Sequence, residues 1–106
     1  MTSRRTRLTP KARREQILDA ALDEARTRGY ENVRRHHVAE RAGVSPGLVG
    51  HYFSTMVQLQ RAIMREAVAR GDVAIVAQGL ARRDKQATKA PAALREAAGA
   101  FVGGGE

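Results

Sequence analysis

Residues 38–53, which read VAERAGVSPGLVGHYF, specify two short helices joined by a tight turn. Gly43 heads the turn, where it permits the positive φ that a sharp change of direction needs. Ser45 followed by Pro46 is a helix-start pattern, because serine caps free amides and proline is tolerated in the first helical turn. The inner face of the pair carries small and apolar residues: Ala39, Ala42, Val44 and Val49. The pattern therefore predicts two helices packed closely through this face.

Two helices arranged in this way are typical of the helix-turn-helix, whose second helix is presented to the major groove of DNA. The amides at the start of that second helix point outward, where a phosphate can bind. A plain helical hairpin is the alternative interpretation, because it shares the small-residue turn. The turn alone therefore favours DNA binding without excluding a structural hairpin.

A longer amphipathic helix precedes the pair. Thr9 and Pro10 show the same start pattern, and Gly29 is placed to end the helix. Its apolar stripe consists of Ile17, Leu18, Ala21, Leu22 and Ala25. Residues 30–33 form a short connection to the second helix, which we expect from about Arg34 to Ala42.

A third helix is expected from Pro46 to about Phe53, and a fourth follows it. Thr55 and Gln58 match a capping box, in which the hydroxyl and the amide side chain satisfy each other's backbone amides. Core spacing then continues to about Arg70 through Leu59, Ala62, Ile63 and Ala67.

Beyond Gly71 the periodic pattern weakens. Residues 72–83 are apolar enough for a fifth short helix, and residues 84–90 read as a polar linker. Pro91 is placed to open a last helix that runs through Val102.

The predicted fold is all-α: a three-helix helix-turn-helix unit, a fourth linking helix and short C-terminal helices. We expect residues 1–8 to be a flexible basic arm and residues 9–70 to form the helix-turn-helix domain. Residues 71–106 are expected to be a short helical extension and a possible self-association segment.

Composition supports a single small domain that binds a polyanion. The chain has 106 residues, 19 Lys and Arg against 11 Asp and Glu, and a net charge of +8. This excess attracts nucleic acid or an anionic membrane surface. The arm lacks apolar residues to insert into a membrane. With no cysteine, secretory signal or apolar run of about 20 residues, we expect a cytoplasmic protein.

The segment from Arg14 to about Arg70 resembles the N-terminal DNA-binding domain of the tetracycline-repressor (TetR) family of bacterial regulators. The matching pieces are REQILDAAL (Arg14–Leu22), RGYENV (Arg28–Val33), VAERAGVSPG (Val38–Gly47), HYF (His51–Phe53) and the capped helix from Thr55. The resemblance implies a three-helix DNA-reading unit, a fourth helix that links it to a sensor domain, and dimeric binding to a palindromic operator.

The sequence departs from this family's pattern at several positions. Arg35 stands where an apolar residue is common, which puts the docking of the second helix in question. Gly50 replaces a frequent Tyr and Met56 a frequent Lys, so two usual phosphate contacts are absent. About 36 residues follow Arg70, too few for the family's ligand-binding bundle, and we expect no small-molecule inducer pocket.

Base reading is expected to be modest, because the outward face of the third helix has no Arg, Asn or Gln to pair bidentately with a base. That face carries Pro46, Gly47, Leu48, Gly50, His51 and Tyr52. Leu48 can pack on a thymine methyl or be an ordinary surface leucine. His51 and Tyr52 can donate to phosphates, although Tyr52 is equally suited to a half-buried place against the first helix.

Other predicted DNA contacts lie outside the third helix. Arg34, Arg35 and His36 stand at the start of the second helix, where they approach DNA or form a solvated charge run. Ser45 and Thr55 cap helices and can also contact phosphates. The arm arginines are expected in the minor groove, or to act by non-specific attraction; these are Arg4, Arg5 and Arg7.

No catalytic or metal site is expected. His36 and His37 are adjacent and point in different directions on a helix, and His51 has no carboxylate at ligand spacing. The sequence offers no Ser-His-Asp set, paired carboxylates or phosphate-cradling glycine loop. We therefore expect neither an enzyme nor a bound cofactor.

Two hypotheses remain. The first is a transcriptional regulator, a repressor by family analogy, that binds double-stranded DNA as a homodimer. Its partner contacts would come from the fourth helix and from four apolar residues of the next segment: Val73, Ile75, Val76 and Leu80. The second is a protein-interaction module that pairs with another regulator and modulates it, which exposure of those same four residues would favour.

Overall fold

The structure is a computed structural model that describes residues 8–104, with side chains to Phe101. The helices are α1 (Pro10–Arg28), α2 (Arg35–Ala42), α3 (Pro46–Tyr52), α4 (Met56–Arg70), α5 (Val73–Ala81), α6 (Lys85–Thr88) and α7 (Ala92–Gly104). A single 3-10 turn, Tyr30–Asn32, connects α1 to α2. Residues 8–104 contain no strand, so the all-α prediction is confirmed.

Local capping fixes the ends of the first four helices, which agree with the predicted ends to within one residue. The Thr9 hydroxyl accepts a hydrogen bond from the Ala12 amide at 3.1 Å, as an N-cap should. Gly29 ends α1 with a φ of 91°. Gly71 ends α4 in the left-handed conformation, with a φ of 71°.

The predicted capping box of α4 is only half right. The Thr55 hydroxyl accepts from the Gln58 amide at 3.0 Å. The Gln58 side chain does not return the bond, because its carbonyl oxygen accepts from the Ser54 hydroxyl at 2.7 Å. The Ser54 hydroxyl is therefore the donor to the Gln58 side chain, a role that the Thr55 amide would have in a capping box.

The predicted polar linker over residues 84–90 is wrong. It contains α6, whose N-cap Asp84 accepts from the amides of Gln86 at 2.8 Å and Ala87 at 3.2 Å. Ala87 and Ala90 are both buried. Alanine is too small to give a strong hydrophobic pattern, yet it fits where two helices approach closely.

The C-terminal helices share a core with the first four. α5 packs against α7, α4 and α1. Ile75 and Val76 on α5 are 0% exposed. Gly79 lies so close to α4 that a Cβ atom there would stand 2.6 Å from Met64 Cε. The apolar character of α5 therefore serves the interior of this chain.

A hydrogen-bonded bridge also joins α5 to the end of α1. The Gln78 amide nitrogen donates to the Ala25 carbonyl at 2.9 Å, and its oxygen accepts from the Tyr30 amide at 2.8 Å. The Tyr30 hydroxyl donates to Asp84 at 3.2 Å. Burial, together with the Asp84 charge, raises the pKa of Tyr30, which keeps the hydroxyl protonated as a donor.

Candidate nucleic-acid interface

The turn between α2 and α3 has the geometry that the sequence predicts. Gly43 is left-handed, with φ 73° and ψ 33°. The Val44 amide donates to the Ala39 carbonyl at 3.0 Å, which closes the C-terminus of α2. The Ser45 hydroxyl then caps α3 by accepting from the Leu48 amide at 3.1 Å. The two helices are therefore fixed by backbone bonds at their junction.

An ion-pair cluster on α1 holds α2 in place. Glu24 is only 6% exposed and receives Arg28 at 2.6 Å and Arg41 of α2 at 2.5 Å. Burial opposes its charge, but the bonds from both arginines outweigh that effect and lower the pKa of Glu24. Gln16 adds a second link by donating to the Ala42 carbonyl at 3.2 Å.

Arg35 does not prevent α2 from docking, since Val38 and Ala39 of the same helix are buried in the core. Its guanidinium lies beside Gly50 of α3, 3.4 Å from the position that a Gly50 Cβ would occupy. It donates to the Ser54 carbonyl, whereas its Nε is buried and has no partner. Arg35 thus lies against α3 beside Gly50 instead of standing free in solvent.

The start of α2 is organised by Arg34 and His37. The Arg34 amide donates to His37 Nδ1 at 3.1 Å. The Arg34 guanidinium bends back to the carbonyls of Glu31 and Val33, both at 3.1 Å. Desolvation, followed by the charge of Arg28, lowers the pKa of His37. The neutral imidazole is the form that accepts this bond.

The predicted residues of α3 divide between an exposed face and a half-buried flank. Pro46, Gly47 and His51 are exposed. Leu48 and Tyr52 are half-buried and pack against the core. The His51 and Tyr52 rings meet edge to face, with centroids 5.0 Å apart. This face is small and nearly free of charge.

The remaining predicted contacts surround that face or fall outside the described residues. His36, Ser45 and Thr55 are exposed at the starts of α2, α3 and α4. Both hydroxyls act as acceptors in their caps, which leaves each hydroxyl proton free to donate. The predicted contacts Arg4, Arg5 and Arg7 lie outside residues 8–104. DNA contact by each of these residues stays a prediction.

Sequence reasoning missed one positively charged feature of the described residues. A groove of about 270 Å³ lies between α1, the end of α3 and α4, and we call it the arginine groove. Its lining includes Arg14, Tyr52, Phe53, Gln58, Arg61 and Arg65. The sequence does indicate that Arg61 and Arg65 lie on the same side of α4, because they are one helical turn apart. Arg14 is 47 residues before Arg61 in sequence, so only the fold reveals that it joins them.

Among residues 8–104, no three acidic or histidine side chains come together as metal ligands would. No helix in the same range combines the length and apolar character needed to cross a membrane.

Comparison with known proteins agrees with the geometry of α1–α4. Residues 17–63 match the family described as "Bacterial regulatory proteins, tetR family". These residues form a tetR-family domain. The resemblance drawn from the sequence is thereby confirmed, and the tetR-family domain contains the whole helix-turn-helix.

Several curated relatives share this part of the chain. The HTH-type transcriptional regulator BetI of Klebsiella pneumoniae (strain 342) is 41% identical over 54 residues, which cover 51% of this chain and 28% of that protein. The BetI proteins of Escherichia coli (strain K12 / DH10B) and Escherichia coli O139:H28 are each 39% identical over 54 residues, with the same coverage. The similarity therefore spans little more than a quarter of these relatives. No solved structure matches the chain.

Proposed function

We propose that this protein is a sequence-dependent DNA-binding regulator of transcription that inserts α3 into the major groove. The observation that carries the proposal is the α2–turn–α3 unit, with His51 and Gly47 exposed on α3 and the unit enclosed in a tetR-family domain. The relatives that match this domain are named as transcriptional regulators. Fold alone does not establish function, so the exposed face must supply the binding.

The chemistry of that face favours phosphate contacts over base reading. His51, Ser45 and Thr55 can donate to phosphate oxygens, whereas α3 carries no side chain suited to bidentate pairing with a base. Leu48 is half-buried and offers at most an apolar edge to a thymine methyl. We expect modest sequence preference and an affinity that falls steeply with salt.

We further propose that the protein acts as a homodimer, because binding to paired half-sites strengthens the DNA affinity of a small recognition helix. We also propose that it acts as a repressor. Val73 and Leu80 are the predicted partner contacts that keep some exposure. Ile75 and Val76 are removed from that set by their full burial. The absence of a small-molecule inducer stays a prediction.

The interaction-module hypothesis keeps only part of the observation on which it depended, because Val73 and Leu80 are half-buried and Ile75 and Val76 are buried. It required an exposed apolar segment at α5, but α4 and α7 pack against this helix. Ile75 and Val76 are 0% exposed. No feature of α5 now favours that hypothesis over DNA binding.

The test is selection of bound duplexes from a random-sequence pool, with two matched variants. Gly47→Asp places a negative charge on the exposed start of α3, where the nearest non-neighbouring atom would be 3.8 Å away. Gly99→Asp adds the same charge to an open position on α7. We expect the wild-type protein and Gly99→Asp to enrich a palindrome, and Gly47→Asp to enrich nothing.

Equal enrichment by all three proteins would contradict a role for α3. A wild-type protein that binds no duplex at low salt would contradict DNA binding altogether. Sedimentation of the wild-type protein on the enriched duplex checks the stoichiometry, for which we expect two chains per site.

A further inference from the structure

The arginine groove carries positive charge that the rest of the protein leaves unneutralised. Five arginines elsewhere are paired with carboxylates: Arg26, Arg28, Arg41, Arg70 and Arg82. Within residues 8–104, no carboxylate forms an ion pair with Arg14, Arg61 or Arg65. The groove therefore brings three arginines together without an ion pair to any of them.

One acid lies nearby but is already engaged. Asp84 lines the far side of Arg61 and Arg65. One of its oxygens accepts the Tyr30 hydroxyl and the other accepts the amides at the start of α6. Asp84 thus serves the fold, and none of these bonds goes to Arg61 or Arg65.

The fold also brings the three cations together in spite of their repulsion. Arg61 and Arg65 are both exposed on α4, one turn apart, a spacing at which like charges repel. Arg14 is drawn toward them by Phe53, whose ring centroid is 4.8 Å from the Arg14 guanidinium carbon. Because Phe53 is 2% exposed, it forms a fixed support for that guanidinium. An anion bound in the groove would relieve the repulsion.

We propose that the arginine groove binds phosphates of the DNA backbone beside the site that α3 reads. The inference rests on the proposed function and adds a second phosphate-binding surface to it. Tyr52 belongs to both α3 and the groove, so the two surfaces are continuous. Guanidinium groups pair bidentately with phosphate oxygens. Each DNA strand offers one phosphate for about every 3.4 Å of rise along the helix axis.

The experiment measures how the affinity for duplex DNA depends on salt between about 50 and 200 mM. The variant Arg61→Gln/Arg65→Gln removes two cations from the groove. The control Arg83→Gln/Lys89→Gln removes two exposed cations that do not line it. We expect the slope of log affinity against log salt to be shallower by about 1 to 2 in the groove variant, since each lost phosphate contact removes about 0.9.

The outcomes separate this inference from the proposed function. A slope that is shallower in the groove variant and unchanged in the control supports the arginine groove as a DNA contact. Wild-type binding with the same slope in all three proteins overturns the groove and leaves the proposed function standing. Failure of the wild-type protein to bind DNA overturns both.

A free phosphate ligand is the other source of the same chemistry, and inorganic triphosphate is the probe for it. Saturable binding of triphosphate that the groove variant loses, together with an unchanged DNA slope, would assign the groove to a soluble anion and overturn the DNA assignment. Thermal unfolding of each variant checks that the fold is intact.

Discussion

The guanidinium of Arg35 lies beside Gly50. A side chain of α2 therefore occupies the space that a side chain at position 50 of α3 would need. A Cβ atom on Gly50 would stand 3.4 Å from the Arg35 guanidinium carbon. Arg35 donates from there to the Ser54 carbonyl, just after α3 ends at Tyr52. The two departures from the family pattern at positions 35 and 50 are therefore one compensated arrangement.

Arg35→Met should leave the free energy of unfolding within about 1 kcal/mol of wild type. The substitution loses the bond to Ser54, but it also removes the buried Nε that has no partner. Arg35→Ala should cost more, about 1–3 kcal/mol, because it also loses the packing of the side-chain stem beside Gly50. Urea unfolding measures both, and an equal loss in the two variants would show that the Ser54 bond dominates.

Gly79→Ala should destabilise the protein by about 1–3 kcal/mol, because the added Cβ overpacks a tight contact. It would stand 2.6 Å from Met64 Cε and 2.7 Å from Ala87 Cβ. Gly99→Ala is the matched control, since its Cβ would meet no other residue within 4 Å. We expect the control to raise stability by about 0.5–1 kcal/mol through helix propensity. Thermal unfolding that ranks the two variants in the opposite order would refute the close packing of α5.

Glu24→Gln should destabilise the protein near neutral pH, by about 1–2 kcal/mol once the exposure of its two arginine partners is discounted. The lowered pKa of Glu24 means that the unfolded chain binds this proton more tightly than the native protein. The stability from Glu24 is therefore present above its ordinary pKa of 4.5 and is lost as the pH falls through its lowered native value.

The control for Glu24→Gln is Glu40→Gln, an exposed site on the neighbouring helix α2. Unfolding followed across the acid range should show a flatter pH dependence for Glu24→Gln and an unchanged one for Glu40→Gln. Parallel curves for wild type and Glu24→Gln would mean that the cluster with Arg28 and Arg41 does not form.

His37 should titrate below its ordinary pKa of 6.5 in the folded protein. Protonation removes the Nδ1 acceptor that the Arg34 amide uses at the start of α2. Because the native pKa is lowered, the stability from this cap is present above about pH 6.5 and is lost as the pH falls through the native value. Imidazole proton shifts in NMR measure the titration, and a value above 6.5 would contradict the hydrogen bond.

The parts of the fold that could be predicted depend on local chemistry. Thr9 with Pro10, and Ser45 with Pro46, mark helix starts through bonds to amides within the next turn, so a short window of sequence contains the whole cause. Gly43 is equally local, since its left-handed conformation needs only the absence of a Cβ. These positions gave helix ends correct to within a residue.

The parts that could not be predicted depend on elements distant in sequence. The burial of Ile75 follows from the packing of α4 and α7 around α5, and an apolar helix looks the same in sequence whether it faces its own core or a partner. The arginine groove needs Arg14 and Arg61 to meet across two helices. Arg35 likewise donates to the Ser54 carbonyl through a long, flexible side chain. The direction of such a side chain cannot be predicted from hydrophobic periodicity.

The hydrogen bonds of Gln78 determine which segment of this protein could be transferred intact into a chimeric protein. Gln78 satisfies the Ala25 carbonyl near the end of α1 and the Tyr30 amide beyond it, and both backbone groups belong to residues 17–63, which match the tetR family. A cut after Arg70 would leave these two groups without that partner and expose the face of α4 that Gly79 covers. The transplantable module is therefore the helix-turn-helix together with α5, α6 and α7, because α7 packs against α5. A chimera joined after Arg70 would have a helix-turn-helix domain that lacks these contacts.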